Sequence, residues 1–359
     1  MCRIVTSTLF CAIATSLPTR WSISSPACRA VAACMADFAR RALPLLTLVA
    51  GMAIGQAAFS QTLVPQEFPV RPVQLLNSFP PGSIVDVMGR AFAQSLDAVL
   101  AQKTVVVNRP GGSQTIAMNA LAQAPADGYT WLYTPVTPLT IQPHRMKLSY
   151  TREMFIPVCQ AFENIFYVAV APNSPHRTFQ SLIDYARANP GKVKYGTAGI
   201  GSSPHLAGAE LFQRAGAKMV DVPYQAPDAS MLTSMQAGDL ESAIVTTFSL
   251  NILRLRGLAV FATERSKFFP DVPTIGEFGH TILPSGYGGV FVRHDTPPAI
   301  LVKIEDACRR ATLDPAYRDF ADKQYQAALY LDRKAFGERI EADYRAKAAL
   351  IPTLNLPAQ

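Results

Sequence analysis

Two short segments of this chain bring Gly, Pro and hydroxyl residues together with an acid or an imidazole: Ser78-Phe-Pro-Pro-Gly-Ser-Ile-Val-Asp86 and Tyr195-Gly-Thr-Ala-Gly-Ile-Gly-Ser-Ser-Pro-His205. Each follows a β-like run (Val73–Leu76, Lys192–Tyr195), turns through Gly or Pro, and opens an amphipathic helix behind a hydroxyl cap, Ser83 in the first and Ser203 in the second. A helix start presents unpaired backbone N–H groups and the positive end of the macrodipole, so it attracts anions. Two such starts on separate parts of one chain predict a cleft that grips a carboxylate or phosphate from both sides. Neither segment contains Lys or Arg, so backbone and hydroxyl groups would make the grip.

The elements that must position these segments alternate β and α. Val73–Leu76, Thr104–Val107 and Tyr129–Tyr133 read as strands, with helices over Ser83–Leu100 and Gln114–Ala124 between them. That βαβαβ order predicts an α/β protein with a parallel sheet covered on both faces. Phe166–Ala171, Met219–Val222, Ala243–Thr247, Leu258–Ala262 and Gly289–Val292 read as further strands. Helices are expected over Phe179–Ala188, from Ser203 to the stop at Gly216, over Ala229–Gln236 behind an Asp228 cap, and through most of Pro298–Leu350.

The 359 residues are 49% hydrophobic and 16% charged, which is globular, and the length favours two domains. The formal charge of +7 is concentrated early: the first 60 residues hold five Arg and one Asp, leaving 28 basic and 25 acidic residues beyond. With no basic run interleaved with aromatics there, no nucleic-acid partner is expected. Residues 35–60 read as a cleavable signal peptide: Arg40-Arg41, an apolar stretch Ala42–Ile54, then Ala58-Phe59-Ser60 before Gln61. Residues 1–34, upstream of a complete signal, read as a non-native extension. They hold Cys2, Cys11, Cys28 and Cys34, leaving Cys159 and Cys308 in the exported part. Those two show no scaffold or metal spacing and are expected as unpaired buried thiols, with pairing left open. The five histidines are dispersed, so neither a metal nor another cofactor is expected.

Several stretches, in order, resemble the solute-binding proteins of tripartite tricarboxylate transporters, also called Bug proteins. They are Phe79-Pro-Pro-Gly82 with Asp86 and Arg90, Val107-Asn-Arg-Pro-Gly111, Ala124-Pro-Ala-Asp-Gly-Tyr129, Gly201-Ser202 with His205-Leu-Ala-Gly208, Val222-Pro-Tyr224, and Pro270-Asp-Val-Pro-Thr274. The resemblance implies a two-lobed, type II periplasmic-binding-protein-like fold, two Rossmann-like lobes joined by crossover strands. One lobe would comprise 68–168 and 288–359, the other 169–287, with the ligand between them. It also implies a monomeric periplasmic receptor that captures a small organic anion, a carboxylate, for membrane transporter subunits; an alternative output is the ectodomain of a sensor kinase. Carried over by position, Phe79, Gly82, Ser83 and Asp86 would form one side of the ligand site. Gly201, Ser202 and His205 would form the other, with Thr134 and Tyr224 at its edges. Asp86 has two open roles, ligand contact or satisfying its own helix start, and Asn108-Arg109-Pro110 reads as turn and surface. The chain departs from the family where Gly-Gly-Ser-Thr-Asp is usual and Gly82-Ser-Ile-Val-Asp86 stands, and where Val245-Thr246 replaces an Asp-Asn pair. A stiffer, more apolar entrance implies altered specificity.

Two enzymatic readings compete. Gly196-Thr-Ala-Gly-Ile-Gly201 with Asp221 has dinucleotide-loop spacing, but it lies far into the chain instead of at a domain start. Ser202 or Ser203 beside His205 suggests a serine hydrolase, yet no Gly-x-Ser-x-Gly elbow is present. A non-enzymatic receptor is the preferred reading.

Overall fold

A computed structural model describes residues 68–224, 227–282, 284, 286–354 and 356; the export pattern at 35–60 and the stretch 1–34 lie outside the described residues. Ten strands form two five-stranded sheets. The first contains β1 (Val73–Asn77), β2 (Thr104–Asn108), β3 (Thr130–Pro135), β4 (Phe155–Glu163) and β10 (Tyr287–Arg293), in the order β2-β1-β3-β10-β4. The second contains β5 (Phe166–Val170), β6 (Lys194–Thr197), β7 (Val220–Pro223), β8 (Ser242–Thr246) and β9 (Arg256–Val260), in the order β7-β6-β8-β5-β9.

Both sheets are mixed: the three strands of the βαβαβ order pair in parallel as expected, and antiparallel strands complete each sheet. In the first, β1 pairs in parallel with β2 and β3, while β10 runs antiparallel to β3 and β4. In the second, β6 pairs in parallel with β7 and β8, while β5 runs antiparallel to β8 and β9. The antiparallel members β10 and β5 are the strands by which the chain changes sheets. Strand β4 carries Pro157 and had no counterpart in the sequence reading. It pairs with β10 through two register shifts, one of them beside Pro157. The expected border at 168/169 falls inside β5, all of which pairs in the second sheet; the chain crosses at Asn164–Ile165 and returns at Gly286. These crossings touch, Asn164 N–H donating to Gly286 O at 2.6 Å.

Helix α1 (Ile84–Leu100) packs on the first sheet because Met88, Phe92 and Leu96 recur at helical spacing and are buried. They join Trp131, Tyr133 and Phe162 in one cluster. Each such side chain withdrawn from water contributes about 1.5–3 kcal/mol. Helices α2 (Thr115–Gln123), α8 (Pro298–Leu313), α9 (Pro315–Lys323) and α10 (Arg333–Leu350) complete this lobe, along with the single turn α3 (Thr137–Thr140). The second sheet is covered by α4 (Phe179–Ala188), α5 (Ser203–Arg214), α6 (Pro227–Ala237) and α7 (Thr247–Ile252). Helix α6 begins one residue before the cap expected at Asp228. None of the described helices is long and apolar enough to cross a membrane.

The cysteine expectation is also corrected. Cys159 on β4 and Cys308 on α8 form a disulfide, their Cα atoms 6.3 Å apart, within the core of the first lobe. The bond is invisible in the sequence because 149 positions separate its ends and only the return of the chain from the second lobe brings them together. Cross-linking so long a loop restricts the unfolded chain, so reduction is expected to lower stability by about 2–4 kcal/mol. Thermal denaturation with and without a phosphine reductant checks this; coincident curves for oxidised and reduced protein would contradict it.

Candidate functional site

The two segments singled out by their chemistry fold into the same device. In each, a glycine with positive φ (Gly82 at 82°, Gly201 at 75°) precedes a serine cap, and the side chain four residues after the glycine turns back to hold it. Gly82 N–H donates to Asp86 Oδ2 at 2.9 Å, and Gly201 N–H donates to His205 Nδ1 at 3.0 Å. The caps match: Ser83 Oγ accepts Asp86 N–H and Ser202 Oγ accepts His205 N–H, both at 3.3 Å. These are capping boxes shifted by one residue, with the acid or imidazole at N3 satisfying the amide before the cap. The second cap is therefore Ser202, one residue earlier than expected. Its backbone is extended (φ −76°, ψ 160°), whereas Ser203 is already helical.

This arrangement reassigns several residues. The Gly82 amide, expected to face a ligand, is engaged by Asp86. Asp86 is buried, and its other oxygen accepts from Asn108 Nδ2 at 2.7 Å while Oδ2 also takes Arg90 Nε at 3.0 Å. Burial opposes ionisation, but Arg90, Asn108 and the Gly82 amide outweigh it and hold the carboxyl below its ordinary value. Asn108, read as turn and surface, also donates to Phe79 O at 2.9 Å, so it clamps the first loop.

His205, expected at the ligand, braces the second loop. Accepting the Gly201 amide at Nδ1 places its proton on Nε2, which lies 3.5 Å from Asp221 Oδ2. Burial and the nearby Arg145 push its pKa down to about 4, and burial raises Asp221 to about 6 against the pull of its Thr197 hydrogen bond. The imidazole is neutral.

Between the lobes lies a cavity of about 100 Å³. The first lobe contributes Phe79, Ile84, Val85, Gln114, Pro135 and Thr137; the crossings contribute Asn164 and Gly286. The second lobe contributes Phe166, Ser202, Ser203, Pro204, Met231 and Ile244, with Val245, Thr246 and Ser249 beside them. Most of these residues follow the carboxyl ends of β1, β3, β6 and β8, where open α/β sheets place ligands. None of the described lining residues is ionisable. The amides of Ile84 and Val85, first in α1, have no hydrogen-bond partner among the described residues. The amides of Gly82 and Ser83, expected as donors, are engaged by Asp86 Oδ2 and by Pro80 O.

Of the expected residues, Phe79 and Ser202 line this cavity, while Ser83, Asp86, Gly82, Gly201 and His205 shape its two loops. Thr134 and Tyr224, expected at the edges, are not among the described lining residues. Thr134 Oγ1 is tied to Ser78 Oγ at 2.7 Å, joining the ends of β1 and β3. Tyr224 N–H donates to Thr197 O at 2.8 Å, and its side chain packs on the cluster that also holds Met231 and Val245. The sequence reading missed Thr137, Gln114 and Asn164. They lie in a one-turn helix, a tight turn and a crossing, none of which carries a periodic signal.

The lobes are in contact around the second loop. Gln142 Nε2 donates to Gly201 O at 3.0 Å, and Thr137 Oγ1 lies 3.3 Å from Ser203 Oγ. Ile141, Leu206, Ile351 and Leu354 form a shared apolar cluster beside them. Arg145 of the first lobe lies across Gly201, its Nη1 occupying the space a Cβ would need.

The serine-hydrolase geometry does not form. Ser202 Oγ donates to Gly199 O at 2.7 Å, and the His205 nitrogens are directed to Gly201 and Asp221. No imidazole nitrogen stands ready to take a serine proton.

Two mixed sheets, linked by crossing strands and enclosing an uncharged, donor-lined cavity, define a solute-binding architecture. The profile of the tripartite tricarboxylate transporter family receptor, TctC, matches residues 88–356. A UPF0065 protein of Bordetella pertussis is 32% identical over 283 residues, 77% of this chain and 86% of its own. Protein BugT of the same organism is 32% identical over 267 residues, 72% of this chain and 82% of its own. The crystal structure of a TctC solute binding protein from Polaromonas is 29% identical, covers 80% of this chain and 99% of its own, and superposes with a TM-score of 0.65. The chain belongs to the TctC receptor family, whose members are solute-binding receptors and not enzymes.

The His205–Asp221 pair generates a pH prediction. The His205 pKa falls from 6.5 to about 4, so this group costs stability as pH drops from 6.5 toward 4, where the unfolded imidazole takes up its proton first. The Asp221 pKa rises from 3.8 to about 6, so it costs stability as pH climbs from 4 toward 6. The slopes oppose and largely cancel in the native protein. Asp221→Asn is expected to lose on the order of 2–3 kcal/mol on acidification from pH 6.5 to 4, and His205→Gln to gain over the same range. Melting temperature against pH for both variants measures this; parallel profiles would contradict it.

Gly201 generates a second. Gly201→Ala is expected to cost roughly 2–3 kcal/mol, combining left-handed backbone strain with the collision at Arg145. Adding Arg145→Ala is expected to restore about 1 kcal/mol of it. A double-mutant cycle by chemical denaturation measures the coupling, and strict additivity would contradict the collision.

Proposed function

We propose that this chain is a periplasmic receptor, exported by the signal at 35–60, that captures a small carboxylate and delivers it as a monomer to a tripartite tricarboxylate-type transporter. The observation that carries this reading is the pair of uncommitted amides at Ile84 and Val85, opposite the Ser202–Ser203 turn across one uncharged cavity. Amides aimed in advance by a 17-residue helix bind a carboxylate without a counter-ion, and enclosure between lobes strengthens each contact by excluding water. Membership of the receptor family and the apposition of the lobes at Gly201 support the same reading. A ligand that bridges the two walls favours the closed arrangement, which a membrane partner can then distinguish from the open one.

Calorimetry and thermal shift on the chain from Gln61 onward, with mono-, di- and tricarboxylates, test it. At least one carboxylate is expected to bind and raise the melting temperature. Ile84→Pro deletes one amide donor at a position that tolerates proline, because the preceding Ser83 is already extended (ψ 157°). It is expected to weaken binding about tenfold or more while leaving the ligand-free melting temperature within a few degrees. Absence of binding across the panel would sink the proposal.

A further inference from the structure

Resting on that receptor reading, the cavity restricts the ligand further. We infer that it takes a short aliphatic monocarboxylate, with the carboxylate on the α1 amides and the alkyl chain against Phe166, Met231, Ile244 and Val245. Three observations converge. The first is size. A cavity of about 150 Å³ lined by aliphatic and aromatic groups accommodates one benzene ring, so the 100 Å³ here suits roughly four to six non-hydrogen atoms. A tricarboxylate or a long dicarboxylate exceeds that while the lobes remain in contact.

The second is the absence of compensation for another charge. No described lining residue is cationic, so a second carboxylate would lose its water with no counter-charge opposite it. The Thr246 hydroxyl on that side is committed to its own helix start, accepting Ser249 N–H at 3.2 Å and lying 3.0 Å from Ser249 Oγ. The third is burial: Phe166, Met231, Ile244 and Val245, all at most 6% exposed, line the cavity from the second lobe. Ile84 and Val85 are the specificity-determining residues, because each offers its amide to the carboxylate while its side chain keeps the surroundings apolar.

A homologous ladder on the native protein tests this by calorimetry: acetate, propionate, butyrate and hexanoate, with succinate and citrate alongside. Affinity is expected to rise about fourfold per methylene from acetate to butyrate and to fall at hexanoate, where the cavity is overfilled. Succinate is expected to bind at least tenfold more weakly than butyrate. Val85→Thr, which adds a hydroxyl to the apolar surroundings, is expected to reduce the advantage of butyrate over succinate. If succinate or citrate binds as tightly as butyrate, or if the ladder is flat, the monocarboxylate inference is overturned and the carboxylate reading survives. If nothing in either series binds, the receptor reading itself fails, so the two failures are distinguishable.

Discussion

Backbone dipoles can hold an ion only if they are aimed before it arrives, since turning them afterwards would cost as much as they return. In this protein the aiming depends on a single hydrogen bond made twice: a glycine amide just ahead of a serine cap, held by the side chain four residues later. Asp86 does this for Gly82 and His205 for Gly201. The bond fixes the left-handed glycine, so the next amides of the helix point outward together. The two braces differ in charge. Asp86 is an anion paired with Arg90 and hydrogen-bonded by Asn108, whereas His205 is neutral, so neither adds a strong competing field to the cleft.

That shared construction also explains what the sequence could and could not say. Glycine, hydroxyl and N3 acceptor recur at equal spacing in both loops, so the helix starts were legible, as were most elements with clear periodicity or capping residues. The assignment of each polar group was not. Asp86 and His205 have the chemistry of ligand contacts, and only the geometry shows that their lone pairs turn back into their own loops. The amides without a partner among the described residues belong to Ile84 and Val85, whose side chains carry no polar signal at all. Thr134 likewise has a plausible hydroxyl at a strand end, yet it binds Ser78 across two strands. Strand β4 was lost for a different reason: its proline breaks the alternation that marks a strand, and its pairing partner lies about 130 residues later.

Contact between the lobes is concentrated where the second loop meets the first lobe. Gly201 sits under Arg145 with its carbonyl held by Gln142, and Ser203 faces Thr137. Ser202 and Ser203 line the cavity from the same turn that carries these contacts. Cavity lining and lobe apposition therefore share one short segment. The two crossings, joined by the Asn164–Gly286 hydrogen bond, form the other fixed point.

The bond between Cys159 and Cys308 joins two parts of the first lobe that flank the whole of the second. Everything from one sulfur to the other, including both sheet crossings, thereby becomes a covalent ring. A protease that severs one exposed loop of the inserted lobe produces two pieces that remain attached, so a single nick does not release either half.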